Sequence, residues 1–160
     1  MGKSLEILAK RSGAAVLGWL ADDVFYVGLV GYVSSGLGSK AAARMLSKLE
    51  GSTIVHCFCN AHLSHNVDFM ARSAIVRTML TNRRRIASMT ALVGTPASNV
   101  TAQAIDSVLD CGATILTDPN AFDELLVKTA PLAHLRLREI ELTSLHGSAR
   151  WRSSIEPRYA

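Results

Sequence analysis

Cysteine is scarce in this chain: Cys57, Cys59 and Cys111 are the only three among 160 residues. An odd number does not fit a disulfide framework, so these read as reduced thiols and the chain as a cytoplasmic protein. Long apolar runs are also missing. The longest, VFYVGLVGYV at 24–33, is too short and too β-branched for a membrane span of roughly 20 residues, and no membrane role is expected. The opening MGKSLEILAKR lacks the long apolar core and small-residue cleavage site of a signal peptide. Aromatic residues make up 6% of the chain and few lie among its arginines, which removes the stacking platform that single-stranded nucleic acid uses. There is no C-x-x-C knuckle and no G-x-S-x-G elbow, and GLVGYVSSGLGS fits neither G-x-x-x-x-G-K-[ST] nor G-x-G-x-x-G. No enzyme is specified, and no cofactor.

What is present is the composition of one globular domain. At 49% apolar and 19% charged residues, the chain is long enough to bury a sizeable core. Its net charge of +4 is unevenly placed. Arg72, Arg77, Arg83, Arg84 and Arg85 fall in one segment without an acid, and the chain from Leu132 on holds five more arginines against three glutamates. Such patches can attract nucleic acid or anionic lipid. The commoner outcome is a solvated face, and nucleic acid is not expected among the partners.

The patterning begins strand-like. AAVLGWL and VFYVGLVGYV flank ADD, which predicts a hairpin turning at residues 21–23. SSGLGS breaks that pattern, and KAAARMLSKLEG then puts Ala42, Met45, Leu46 and Leu49 on one helical stripe closed by Gly51. STIVHCFCNA reads as a central strand over 53–59, covered on both faces, with 60–67 as the loop at its carboxyl end. Asp68 is a good N-cap for a helix on which Phe69, Val76, Met79 and Leu80 share a face. Its arginine cluster falls at the carboxyl end, where the dipole favours it. SMTALVG is a further strand, and PASNVTAQAIDSVLDCG a helix with Val100, Ala104 and Val108 inward. ATILT is a last strand, and DPNAFDELLVKTA a helix capped by Asp118 with Pro119 at its first position. The fold class expected is α/β: a β-hairpin, then alternating helices and strands, in a mostly parallel mixed sheet flanked by helices. Residues 1–131 form the domain, and 132–160 a C-terminal extension with a partly mobile basic tail.

The densest chemistry lies in VHCFCNAHLSHNVD, which brings Cys57, Cys59, His62, Ser64, His65 and Asp68 together at 55–68. Four nitrogen and sulfur ligands could be counted for structural zinc. A central strand, however, hides both thiols under a helix, and free cysteine is among the most buried residue types; they read as core, and no metal is expected. Ser64 with His62 or His65 and Asp68 has the cast of a catalytic triad, but neighbouring loop residues seldom orient one another as a triad needs. The third reading is a polar recognition loop at a helix start, in the place where open α/β sheets receive ligands and partners. Arg72, on the apolar side of that helix, is either a stem lying along the core or a contact at the loop edge.

IVHCFCNAHLSHNVDFM and MTALVGTPASNVTAQAIDSVLDCGATILTDPNAFDELL, with the order of elements, resemble the STAS family, the sulfate-transporter and anti-sigma-factor-antagonist domain, over residues 14–131. The chain looks most like the free-standing bacterial members. The resemblance implies a non-enzymatic module that docks to partner proteins. In the antagonists a serine in D-S-[ST]-G at the start of the second helix is phosphorylated to turn docking off. That slot falls on HNVD without gaps, and on LSHN when shifted by two residues, which offers Ser64 as the candidate phosphosite.

The expected function is therefore a cytoplasmic regulatory or scaffold module that docks protein partners through residues 60–72. Its contact residues would be His62, Ser64, His65, Asn66, Asp68 and Arg72, with self-association left open. The alternative is a small-molecule binder, for nucleotides or acyl ligands, or an enzyme, with a deep pocket at His62, Ser64 and Thr95 on the carboxyl edge.

Overall fold

A computed structural model describes residues 5–137 of the chain. Six strands lie side by side in the order in which they occur: β1 (Glu6–Ala9), β2 (Gly13–Trp19), β3 (Val24–Val33), β4 (Val55–Val67), β5 (Ile86–Val93) and β6 (Thr114–Leu116). The first three pair antiparallel and the last four parallel. Helices α1 (Ser35–Leu49), α2 (Phe69–Asn82) and α3 (Pro96–Asp106) connect the parallel strands, and α4 (Pro119–Thr129) follows β6. The α/β class and the mixed, mostly parallel sheet match expectation. The hairpin turns where ADD predicts, between Trp19 and Val24. β1, which the patterning does not signal, extends that hairpin by an edge strand.

Successive parallel strands that each step the same way need crossovers of one hand, which puts their helices on one face of the sheet. The packing follows. One core joins alternate residues of β2 to β5, such as Leu17, Phe25, Cys57 and Met89, to Leu37 and Met45 of α1, Ile75 and Met79 of α2 and Ile105 of α3. The other sheet face carries Val16, Tyr26, Phe58 and Leu92, covered by Phe122 and Leu126 of α4. Phe58 and Phe122 meet edge-to-face at 5.7 Å, a pair worth about 1 kcal/mol beyond its area. This second core reaches Ala133 and Leu137, in a helical turn at 133–137, so the packed body continues past Pro131. The reading of a mobile tail falls on residues that, from 138 on, lie outside the described ones.

Four local expectations are corrected. SSGLGS does not precede α1 but begins it: Ser34 caps the helix, its hydroxyl accepting from Leu37 N–H at 3.3 Å. On α2 the inward row is Ala71, Ile75, Thr78, Met79 and Asn82, while Phe69 and Leu80 point outward. The polar members of that row satisfy themselves on the helix: Thr78 donates to the Ala74 carbonyl and Asn82 to that of Thr78. Large apolar side chains suggest a different face, but small Ala71 is the one that meets Gly38 of α1. On α3, Ser98, Thr101, Ala102 and Ile105 face inward, and Val100 is exposed. On α1, Leu46 is exposed too, although the rest of its predicted stripe is buried.

Candidate functional site

Strand β4 runs for 13 residues, so 60–67 is strand rather than loop. β3 is long enough to pair with it throughout: Val30, Gly31, Tyr32 and Val33 lie opposite Leu63, Ser64, Asn66 and Val67, with two slips of register. On the other side β5 stops pairing at Ala61. The end of β4 therefore projects beyond β5, and the start of α3 fills the space. Thr95 Oγ1 donates to the Ser64 carbonyl at 3.0 Å. His62 lies over Gly94, where an added Cβ would stand 2.8 Å from His62 Nδ1 and closer still to the His62 carbonyl oxygen.

This geometry separates the residues that the sequence groups together. His65 and Asn66 are exposed at the end of β4. Asp68 caps α2 as expected, its carboxylate accepting from Met70 N–H at 2.8 Å. Ser64 is fully buried, and its Oγ has no hydrogen-bond partner. His62 is half-buried, with Nδ1 likewise unpartnered. Arg72 does not reach the edge; its Nε donates to Thr101 Oγ1 at 3.1 Å and ties α2 to α3.

A phosphoryl donor cannot reach a hydroxyl so enclosed unless the end of β4 opens. A buried hydroxyl without a partner carries a desolvation penalty of about 1–3 kcal/mol. Ser64→Ala is accordingly expected to leave stability unchanged or raise it, whereas Ser64→Glu buries a charge and unfolds the β4 end. Thermal melts of the two variants check this: a lowered melting temperature for Ser64→Ala would mean the hydroxyl has a bonding role.

Cys57 and Cys59 sit in or against the core, as read. Cys57 is buried under the helices, and Cys59 lines a cavity of about 20 Å³ with apolar walls from Met45, Ala61, Met79 and Ala91. Burial pushes both thiols up to about 12. Cys59 retains some accessible surface, but its neighbours in the cavity are apolar, so loss of solvation governs its ionisation all the same. Among the described residues no three His, Cys, Asp or Glu side chains converge as metal ligands would. A thiol reagent is expected to modify one cysteine in the native protein, exposed Cys111, and all three after denaturation. Fast reaction of three in the native state would contradict the buried pair.

At the carboxyl edge the start of α3 is capped by its own side chains. Ser98 Oγ accepts from the amides of Gly94 and Thr95, and the Thr95 side chain returns a bond to Ser98, closing a capping box over the start of α3. An open hollow of about 470 Å³ lies at the opposite edge, among Trp19, Asp23, Glu50 and Ile54. The arginine cluster is partly engaged as well. Arg85 donates to the Leu49 carbonyl at the end of α1 and to Asn82, while Arg83 pairs with Asp110 at 3.8 Å.

The feature that sequence reasoning missed stands at the head of α2. Phe69 and Met70, adjacent in the first turn, are 71% and 61% exposed. The cap at Asp68 fixes the entry of the helix and the Gly38–Ala71 contact fixes its rotation, so these two large apolar side chains project to solvent beside His65 and Asn66. The signal available in the sequence was the small-residue pair Gly38 and Ala71, which sets the buried face.

No known protein-family signature matches the chain, and no curated protein does. Among solved structures it is similar to an uncharacterised protein of the DUF3478 family, described as having a SpoIIAA-like fold, from Shewanella loihica PV-4. The two align with a TM-score of 0.52 over 77% of this chain and 92% of that one, at 8% sequence identity. The fold is SpoIIAA-like. This is the STAS-like fold, that of the anti-sigma-factor antagonists. At such identity the likeness is one of fold alone. Among the described residues no helix is long and apolar enough to cross a membrane.

Proposed function

We propose that the domain is a regulatory or scaffold module that docks a protein partner through the carboxyl edge of its sheet, centred on the end of β4 and the head of α2. One observation carries this reading: the adjacent exposure of Phe69 and Met70. Single exposed apolar residues are ordinary, but two large ones together, at the edge where open α/β sheets receive ligands, form a patch that can anchor an interface. His65, Asn66 and Asp68 supply a polar rim. Arg72, tied to Thr101 of α3, and buried Ser64 are not contact residues in this reading. The SpoIIAA-like fold is compatible with such a role.

Affinity capture from native lysate with wild type and Phe69→Asp tests it. The substitution keeps the helix start intact, since a carboxylate in a first turn is favourable, and it should melt with wild type. Loss of an interface anchor typically costs 2 kcal/mol or more, about thirtyfold in affinity. Partners recovered by wild type should therefore disappear with Phe69→Asp. An identical partner list for the two proteins would sink the placement.

A further inference from the structure

The docking edge carries a cluster of exposed cations on the β1–β2 turn and α1, set apart from its two acidic helix caps. The β1–β2 turn ends there: the Ser12 carbonyl accepts from Tyr32 N–H at 2.9 Å, which holds the turn against the end of β3, beside Ser64 and Asn66 of β4. Lys10 and Arg11 in that turn are exposed, and so is Lys40 in the second turn of α1. Asp68 and Asp118, which cap α2 and α4, accept from Met70 and Asn120 N–H, and Glu124 is exposed on α4, which covers the other sheet face. None of α1, α2 and α3 has an acidic residue in its first turn, so the amino-terminal dipoles add to the positive field of the lysines and arginine.

We infer that the partner element is an acidic protein segment with apolar side chains, its carboxylates facing Lys10, Arg11 and Lys40 and its apolar residues covering Phe69 and Met70. This rests on the docking reading above. Complementary charge across a rim steers encounter and excludes basic competitors, while the apolar pair supplies the central contact. A lipid surface fits less well, because anionic headgroups would surround Phe69 and Asp68 alike, whereas a segment can set its carboxylates against Lys10, Arg11 and Lys40 and its apolar side chains on Phe69.

Panning a random-peptide phage library against the full chain tests the inference, with the exposed-site variant Lys10→Glu/Arg11→Glu/Lys40→Glu as the counterpart. Clones selected on wild type should be rich in Asp and Glu interleaved with apolar residues. They should bind the charge-reversed variant at least about tenfold more weakly and lose binding to Phe69→Asp. Selected peptides that are neutral or basic, or that bind both charge forms alike, overturn the acidic partner while leaving docking at Phe69 standing. Peptides that bind Phe69→Asp as well as wild type overturn the docking reading itself. Failure to enrich any clone over the charge-reversed variant counts against the inference. Sedimentation of wild type, but not of the variant, with phosphatidylserine–phosphatidylcholine vesicles, and no acidic clones, overturns it in favour of a lipid surface.

Discussion

Gly38→Ala is expected to destabilise the domain by about 3 kcal/mol, although helix propensity alone predicts a gain of up to about 1 kcal/mol for the same change. A Cβ built at Gly38 stands 2.6 Å from Ala71 Cα and nearer still to Ala71 Cβ. Neither atom belongs to a flexible chain that could swing away. Helices α1 and α2 must move apart, and both also pack on the sheet through Met45 and Met79. Gly36 provides the control two residues earlier on the same helix, where an added Cβ meets nothing within 4 Å. There Gly36→Ala should show the propensity gain unopposed. Denaturant melts of the two variants give opposite signs if close approach governs Gly38. Adding Ala71→Gly to Gly38→Ala should recover much of the loss, because the opposing methyl is then gone. Two stabilised alanine variants would mean that α1 and α2 are not in close contact. The same contact sets the rotation of α2, so Gly38→Ala should also weaken any partner that uses Phe69 and Met70.

That contact explains where the sequence was readable and where it was not. Alternation between period-two and helical patterning is a property of neighbouring residues, and it yields the order of elements from β2 to α4 directly. Caps are local too, and Asp68, Asp118 and Pro119 stand where their chemistry places them. The errors share a different origin: each depends on a distant partner. SSGLGS has the glycines of a breaker, yet Gly38 is there for a helix that follows some thirty residues later. The end of β4 has the polar residues of a loop, yet it is strand because β3 offers ten residues to pair with. Its buried Asn60 accepts from His62 N–H within the strand, which composition cannot reveal. β1 is four residues at an edge, too short to establish a period. For the candidate site the consequence is specific. His65, Asn66 and Asp68 were legible because they lie at a strand end and a cap. Phe69 and Met70 were not, because their exposure follows from how α1 seats α2.

Stability should fall steeply above pH 9, and the two core thiols should account for much of the slope. Burial raises Cys57 and Cys59 from an ordinary value of 9.0 to about 12. For Cys57 the loss of solvation comes first and repulsion from the other thiolates second; for Cys59 it is loss of solvation alone. Below pH 9 both states hold the protons and the thiols contribute no pH dependence. Between pH 9 and 12 the unfolded chain releases them while the folded one retains them, so each proton bound only by the folded state lowers stability as pH rises. The slope is about 1.4 kcal/mol per pH unit for each such thiol, and it levels off once the folded state ionises as well. Tyrosines and lysines also titrate in this range, so the total fall is not the thiols' alone. The double variant Cys57→Ala/Cys59→Ala separates them. It starts from a lower stability, having lost two buried sulfur atoms and enlarged the cavity beside Cys59. Its loss of stability between pH 9 and 11 should nevertheless be shallower than that of wild type by about 2–3 kcal/mol per pH unit. Parallel curves for the two proteins in urea titrations across this range would show that the thiols ionise as freely folded as unfolded, and would remove Cys57 and Cys59 from the core.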